Sequence, residues 1–193
     1  MTDNFENIKQ LMTFENPGDF YFLQILQRRK ENPELLHHQQ LISSFFIYSA
    51  DELEHHKPEI IRFCEMFNAR CYITVNRRND EKVALMMLAE LAKDIANKTY
   101  SNAKSAYLSA CGKYSSDPDK KWIIDYDSKD EAGIQEMMEY IKGIEPVGDK
   151  LVKVLPTKNG YHLIVKPFNK AEFSKRYNGD DIKKDNFTLL YCL

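Results

Sequence analysis

Apolar and polar positions along the chain fall into short blocks with two different periods. The residues Phe20, Phe22, Leu23, Ile25 and Leu26 read with helical periodicity and run into a basic cluster, Arg28, Arg29 and Lys30. Residues 41–48 are rich in β-branched and aromatic side chains and predict a strand. Asp51, with Glu54 three residues later, predicts a helix start and a helix reaching about Phe67; Pro58 should split it or open its second part. Residues 69–76 (ARCYITVN) predict a second strand. The strongest helical pattern covers residues 80–97, with Val83, Met86, Met87, Leu88, Leu91 and Ile95 on one side. A shorter helix over 102–111 follows, and GKYSSDPDKK (112–121) reads as a loop built on Ser-Ser-Asp-Pro-Asp.

The second stretch alternates more regularly. A strand over 121–126, a helix over 129–144, strands over 151–155 and 161–166, a short helix over 170–177 and a last strand over 187–192 spell β-α-β-β-α-β. The Asn159-Gly160 pair marks the tight connection between the middle strands. The expected fold class is therefore α+β: an N-terminal αβ unit (residues 1–115) packed on an RNA-recognition-motif-like antiparallel sheet of four strands (residues 116–193).

Composition adds limits. A chain of 193 residues with 43% hydrophobic positions can bury a substantial core. With 27 basic and 29 acidic side chains the net charge is −2, which argues against a protein that coats nucleic acid through overall charge but leaves room for a local basic patch. Cys64, Cys71, Cys111 and Cys192 show no metal-binding spacing and read as reduced, mostly buried thiols. No apolar run is long enough to span a membrane and the polar start does not resemble a signal peptide, so the expected location is cytoplasmic.

The chemistry concentrates in Trp122-Ile123-Ile124-Asp125-Tyr126-Asp127. On a strand, Asp125 and Asp127 project to one face and Tyr126 to the other. Two adjacent carboxylates repel unless a cation or proton lies between them, and hard oxygen donors suit Mg²⁺ or Mn²⁺. Each acid also suits a helix cap, and His162, in Gly160-Tyr161-His162, also suits a structural hydrogen bond. Arg77-Arg78, at the end of a strand, suit a phosphate chain or a solvated turn equally. Gly160 lets backbone approach a ligand closely. The paired residues His37-His38 and His55-His56 do not share a helix face and read as surface positions.

These motifs resemble the catalytic core of the archaeo-eukaryotic primase and primase-polymerase superfamily. The family pattern is a hydrophobic strand ending in Asp-x-Asp, then a small residue-x-His on a later strand, then one acidic residue near a third strand. WIIDYD matches the first. Gly160-Tyr161-His162 matches the second, with Gly where Ser is more usual, and Asp185 is the best-placed third acid, with Asp180 and Asp181 as rivals. The resemblance implies a metal-dependent nucleotidyltransferase acting in DNA replication or repair. Asp125, Asp127 and Asp185 would be its catalytic and metal-binding residues, and Mg²⁺ or Mn²⁺ its cofactor. Lys158, Gly160, His162, Arg77 and Arg78 would bind the nucleotide. Implied partners are a nucleoside triphosphate, a single-stranded nucleic acid template, and a replicative helicase or accessory domain, with no membrane. The alternatives are a catalytically inactive nucleic-acid-binding or scaffold protein of the same fold, and a metal-dependent nuclease.

Overall fold

The computed structural model describes residues 1–115 and 117–193, and of Lys104 the backbone alone; Ser116, within the expected loop over 112–121, lies outside the described residues. The chain is a mixed α+β protein with two antiparallel sheets. Its elements are β1 (Thr2–Asp3), α1 (Phe5–Lys9), β2 (Asp19–Arg28), β3 (Gln39–Ile47), α2 (Ala50–Met66), β4 (Arg70–Thr74), β5 (Arg78–Asn79), α3 (Asp80–Ala96) and, after a 3₁₀ segment (Tyr100–Ser105), α4 (Ala106–Lys113). The second stretch holds β6 (Trp122–Tyr126), α5 (Glu131–Lys142), β7 (Leu151–Pro156), β8 (Tyr161–Val165), α6 (Lys170–Phe173), a 3₁₀ turn (Gly179–Asp181), β9 (Ile182–Lys183) and β10 (Phe187–Cys192).

The first sheet runs in the order β1-β10-β4-β2-β3, with β5 pairing on β2. The run Phe20–Leu26 is thus a strand, not the helix its apolar spacing suggests. Leu23 and Ile25 join the cluster that includes Leu53, Ile60 and Cys64 of α2. Phe20 and Phe22 pack instead with Val83 of α3 and with Ala110 and Cys111 of α4. A strand covered on both faces loses the alternation that marks a half-buried one.

Two helical details also differ from expectation. Ser49, rather than Asp51, caps α2: its side chain accepts from the Glu52 N–H while a Glu52 carboxylate accepts from the Tyr48 N–H. The helix then runs through Pro58 without a break. On α3 only part of the expected apolar side meets the core: Val83 is buried and Met87 packs beside it, whereas Met86, Leu88 and Ile95 are exposed.

The second sheet runs β7-β8-β6-β9. Its fourth strand is the two-residue β9, not the strand over 187–192. That last strand, β10, crosses back to pair with β4 and β1 in the first sheet. The four cysteines are free and buried.

One face of the second sheet, with Ile124, Leu163 and Val165, packs on Ile134, Met138 and Ile141 of α5. The other face sends Ile123, Ile164 and Leu155 into the same cluster as Leu23 and Ile73 of the first sheet. Two buried asparagines tie the sheets together. The Asn4 side chain donates to the Pro156 and Leu189 carbonyls, each at 2.9 Å. The Asn76 amide accepts from the Lys121 N–H (2.7 Å) and donates to the Lys121 carbonyl (2.9 Å). Such bonds fix how the sheets meet, since breaking one leaves buried polar groups unpaired.

Candidate active site

The site grows from the pairing of β6 and β8. Their register sets Ile123 against Ile164 and, two residues on, Asp125 against His162. Because side chains alternate along a strand, the face that is apolar at Ile123 and Ile164 becomes polar at Asp125 and His162 where the sheets diverge. There a cleft of about 700 Å³ opens. One wall carries Asp125, Asp127, His162 and Lys183, with Thr157, Lys158 and Asn159 of the β7–β8 turn at its rim. The first sheet supplies Gln24, Leu26 and Arg28 from β2, Arg70 and Tyr72 from β4, and Leu189 from β10. Lys30 and Glu31, just beyond β2, Gln39 of β3, and Asn186 and Phe187 at the start of β10 also line that side.

His162 is held at both ring nitrogens. Nδ1 lies 2.8 Å from the hydroxyl of Thr188, a buried residue of β10, and Nε2 lies 3.5 Å from Asp125 Oδ1. The Asp125 carboxylate oxygen can only accept at Nε2, while the Thr188 hydroxyl can either donate or accept at Nδ1. The hydrogen bond from His162 is the main cause holding the Asp125 carboxyl below its ordinary pKa; partial burial opposes it, while the charges of Lys183 and Arg28 reinforce it. Asp125 is therefore ionised at neutral pH, and Asp127 stands exposed on the same wall. Carboxylates are the hard oxygen donors that Mg²⁺ and Mn²⁺ take, and Asp125 and Asp127 are the two on this wall that would hold such an ion, leaving its other positions to water or phosphate oxygens.

Other residues expected in the site lie elsewhere. Asp185 accepts from Arg78 Nη1 at 3.0 Å and from the Asn76 amide at 3.2 Å, so its carboxylate is a structural counter-ion. Arg78 is fully buried and also donates to the carbonyls of Cys111 and Asn76. Burial pushes its pKa down, against the opposing pull of Asp185. Arg77 is equally enclosed: it donates to Glu15 at 2.6 Å, with Asp19 at 3.6 Å and Asp117 at 3.8 Å. Neither arginine lines the cleft, so neither is placed to meet a phosphate there. Asp180 and Asp181 form the 3₁₀ turn before β9, bound to Asn178. Among the described residues, no group of three His, Cys, Asp or Glu side chains converges on a possible metal position.

Gly160 answers to the backbone. A Cβ there would lie 2.0 Å from the Tyr126 carbonyl and 2.7 Å from the Ser128 nitrogen. The glycine therefore lets the turn close on the end of β6 and does not line the cleft.

Sequence reading missed Arg70, Tyr72, Lys183 and Thr188, and noted the cluster at Arg28 without placing it. A signal was present: Arg70 and Tyr72 are two apart on a strand and share a face, and Leu26 pairs with Arg70. Arg28 Nη1 donates to the Tyr72 hydroxyl at 3.3 Å, and Arg70 is ion-paired with Glu31.

No protein-family model matches the chain, and neither the curated proteins nor the solved structures contain a match to it.

Proposed function

We propose that the chain is a metal-dependent nucleotidyltransferase of primase-polymerase type, acting on a nucleoside triphosphate and a single-stranded template. The observation that carries this reading is the cleft itself, where two carboxylates face basic side chains contributed by both sheets. That mixture suits a metal-bound triphosphate, whose negative charge needs cations and whose counter-ion needs carboxylates.

In this reading Asp125 and Asp127 hold Mg²⁺ or Mn²⁺. When bound, the ion would neutralise phosphate oxygens and favour the ionised 3′-hydroxyl. His162 positions Asp125 and keeps its carboxylate charged, rather than gripping a phosphate as the resemblance implies. Lys158, Lys183 and Arg28 neutralise the phosphate chain, and Leu26 and Tyr72 offer an apolar and aromatic surface to a base. Calorimetric titration with Mn²⁺ and a nucleoside triphosphate tests this. Binding that is lost in Asp125→Ala/Asp127→Ala supports the reading, and equal binding by both proteins removes the pair as the ion's site.

A second reading is favoured by one observation: Asp185, the expected third acid, is committed to Arg78. A binding or scaffold protein of the same fold would use the same basic cleft for a nucleic acid strand without chemistry. A nuclease would need the same carboxylates and differ in cleaving the strand.

A further inference from the structure

The outer face of α3 is unlike the rest of the surface. Leu85, Leu88 and Ile95 are 58%, 60% and 61% exposed. With the exposed Ala92 they follow a three-four-three spacing, which places them in one stripe along the helix. Exposed Ala84, Ala89 and Ala96 flank the stripe with small side chains. The fold does not need this face apolar: Val83 and the partly buried Met87 already anchor the helix, and Glu90 accepts from the Tyr114 hydroxyl on the inner side. Exposed apolar stripes of this length mark contact surfaces.

We propose that this face pairs with the same face of a second copy of the chain, the two α3 helices crossing antiparallel about a two-fold axis between Leu88 and Ala92. The stripe is self-complementary under that operation, as a two-fold interface requires. Leu85 of one copy meets Ile95 of the other, and Leu88 meets Ala92, a large side chain against a small one. The flanking alanines allow the axes to approach to about 8 Å, the short end of helix packing.

Charge favours the second copy over an unrelated apolar partner. Glu81, in the first turn, lies at one end of the stripe, and Lys98 lies just past the other. Neither has an ion-pair partner among the described residues. Antiparallel pairing brings Glu81, on the stripe, within one residue's rise of Lys98 of the other copy, twice by symmetry, while Lys82, level with Lys98, lies about 100° round the helix from the stripe. Parallel pairing would bring like charges together. A single helix on each side covers less than a standard interface, so the dimer should be weak and concentration-dependent. This inference goes beyond the proposed activity and does not depend on it, because α3 contributes nothing to the cleft.

Sedimentation equilibrium of the whole chain over a wide concentration range tests it. The expected result is a reversible monomer–dimer equilibrium, lost in Leu88→Glu with circular dichroism unchanged. Glu81→Lys and Lys98→Glu should each weaken the dimer at least several-fold, and the two together should restore it. A chain that stays monomeric at every concentration overturns the proposal. So does a dimer that survives Leu88→Glu, or charge reversals that fail to compensate; those outcomes would assign the face to another partner or the dimer to another surface.

Discussion

Asp125 and His162 stand directly opposite each other in the β6–β8 register, with His162 Nε2 3.5 Å from Asp125 Oδ1. The ring is in turn fixed by Thr188, which comes from the other sheet. One strand pair thus supplies the acid and its positioning partner, and the neighbouring sheet orients both. The Asp125 side chain is 41% exposed, so the ring is the neighbour that orients it, as a hydrogen-bonding partner orients an ion-binding carboxylate.

The first prediction follows from that contact. The Asp125 pKa is depressed from its ordinary value of 3.8, chiefly by the His162 hydrogen bond. A depressed carboxylate contributes stability above its unfolded pKa, and that contribution is lost as pH falls through the lower, folded value. Carboxyl-carbon NMR should show Asp125 titrating below 3.8 in the wild type and moving upward in His162→Ala. An unchanged midpoint would mean that the ring does not hold the acid.

Asp185 should behave as a structural residue. Removing its charge leaves Arg78, 0% exposed, with carbonyl partners only. Asp185→Asn should cost about 2–3 kcal/mol of unfolding free energy, less than a fully buried pair because Asp185 itself is partly exposed. Urea denaturation measures this. Full stability with lost Mn²⁺ binding would return Asp185 to the metal site.

Gly160 gives a third test. A Cβ 2.0 Å from the Tyr126 carbonyl cannot be accommodated without moving the turn away from β6. Gly160→Ser, which would bring the chain closer to the resembled motif, should therefore destabilise it, by about 1–3 kcal/mol as an overpacked site does. A rise in stability or nucleotide affinity would contradict this account of the glycine.

The cleft cations provide the fourth. Arg28→Ala and Lys183→Ala should each weaken triphosphate binding roughly tenfold, about 1.4 kcal/mol, and leave binding of the uncharged nucleoside nearly unchanged. Equal losses for nucleoside and triphosphate would place these side chains away from the phosphates.

Much of the fold was legible because its helices and half-buried strands carry their period openly. The β7–β8 hairpin was visible in the Asn-Gly turn, and the β6–β8 pairing in the β-α-β-β-α-β order of the second stretch. What failed to show depends on contacts distant in sequence. Phe20–Leu26 read as a helix because two layers bury opposite faces of one strand, which erases the alternation. Phe187–Cys192 gave the right element, but no local signal says which sheet it joins. The pair Arg77-Arg78 looked free because its counter-ions, Glu15, Asp19, Asp117 and Asp185, lie far along the chain. Arg28 and Arg70 came together only through the β2–β4 pairing.

Nucleotide incorporation is the most direct test of the central claim, measured with single-strand binding on the same preparation. With Mn²⁺, a single-stranded template and labelled nucleoside triphosphates, the chain should extend a primer or form a dinucleotide. Asp125→Ala or Asp127→Ala should lower the rate by two or more decades, at about 1.4 kcal/mol per factor of ten, while single-strand binding is kept. Strand binding without incorporation, unchanged by Asp127→Ala, would contradict the catalytic account and leave the cleft as a binding surface.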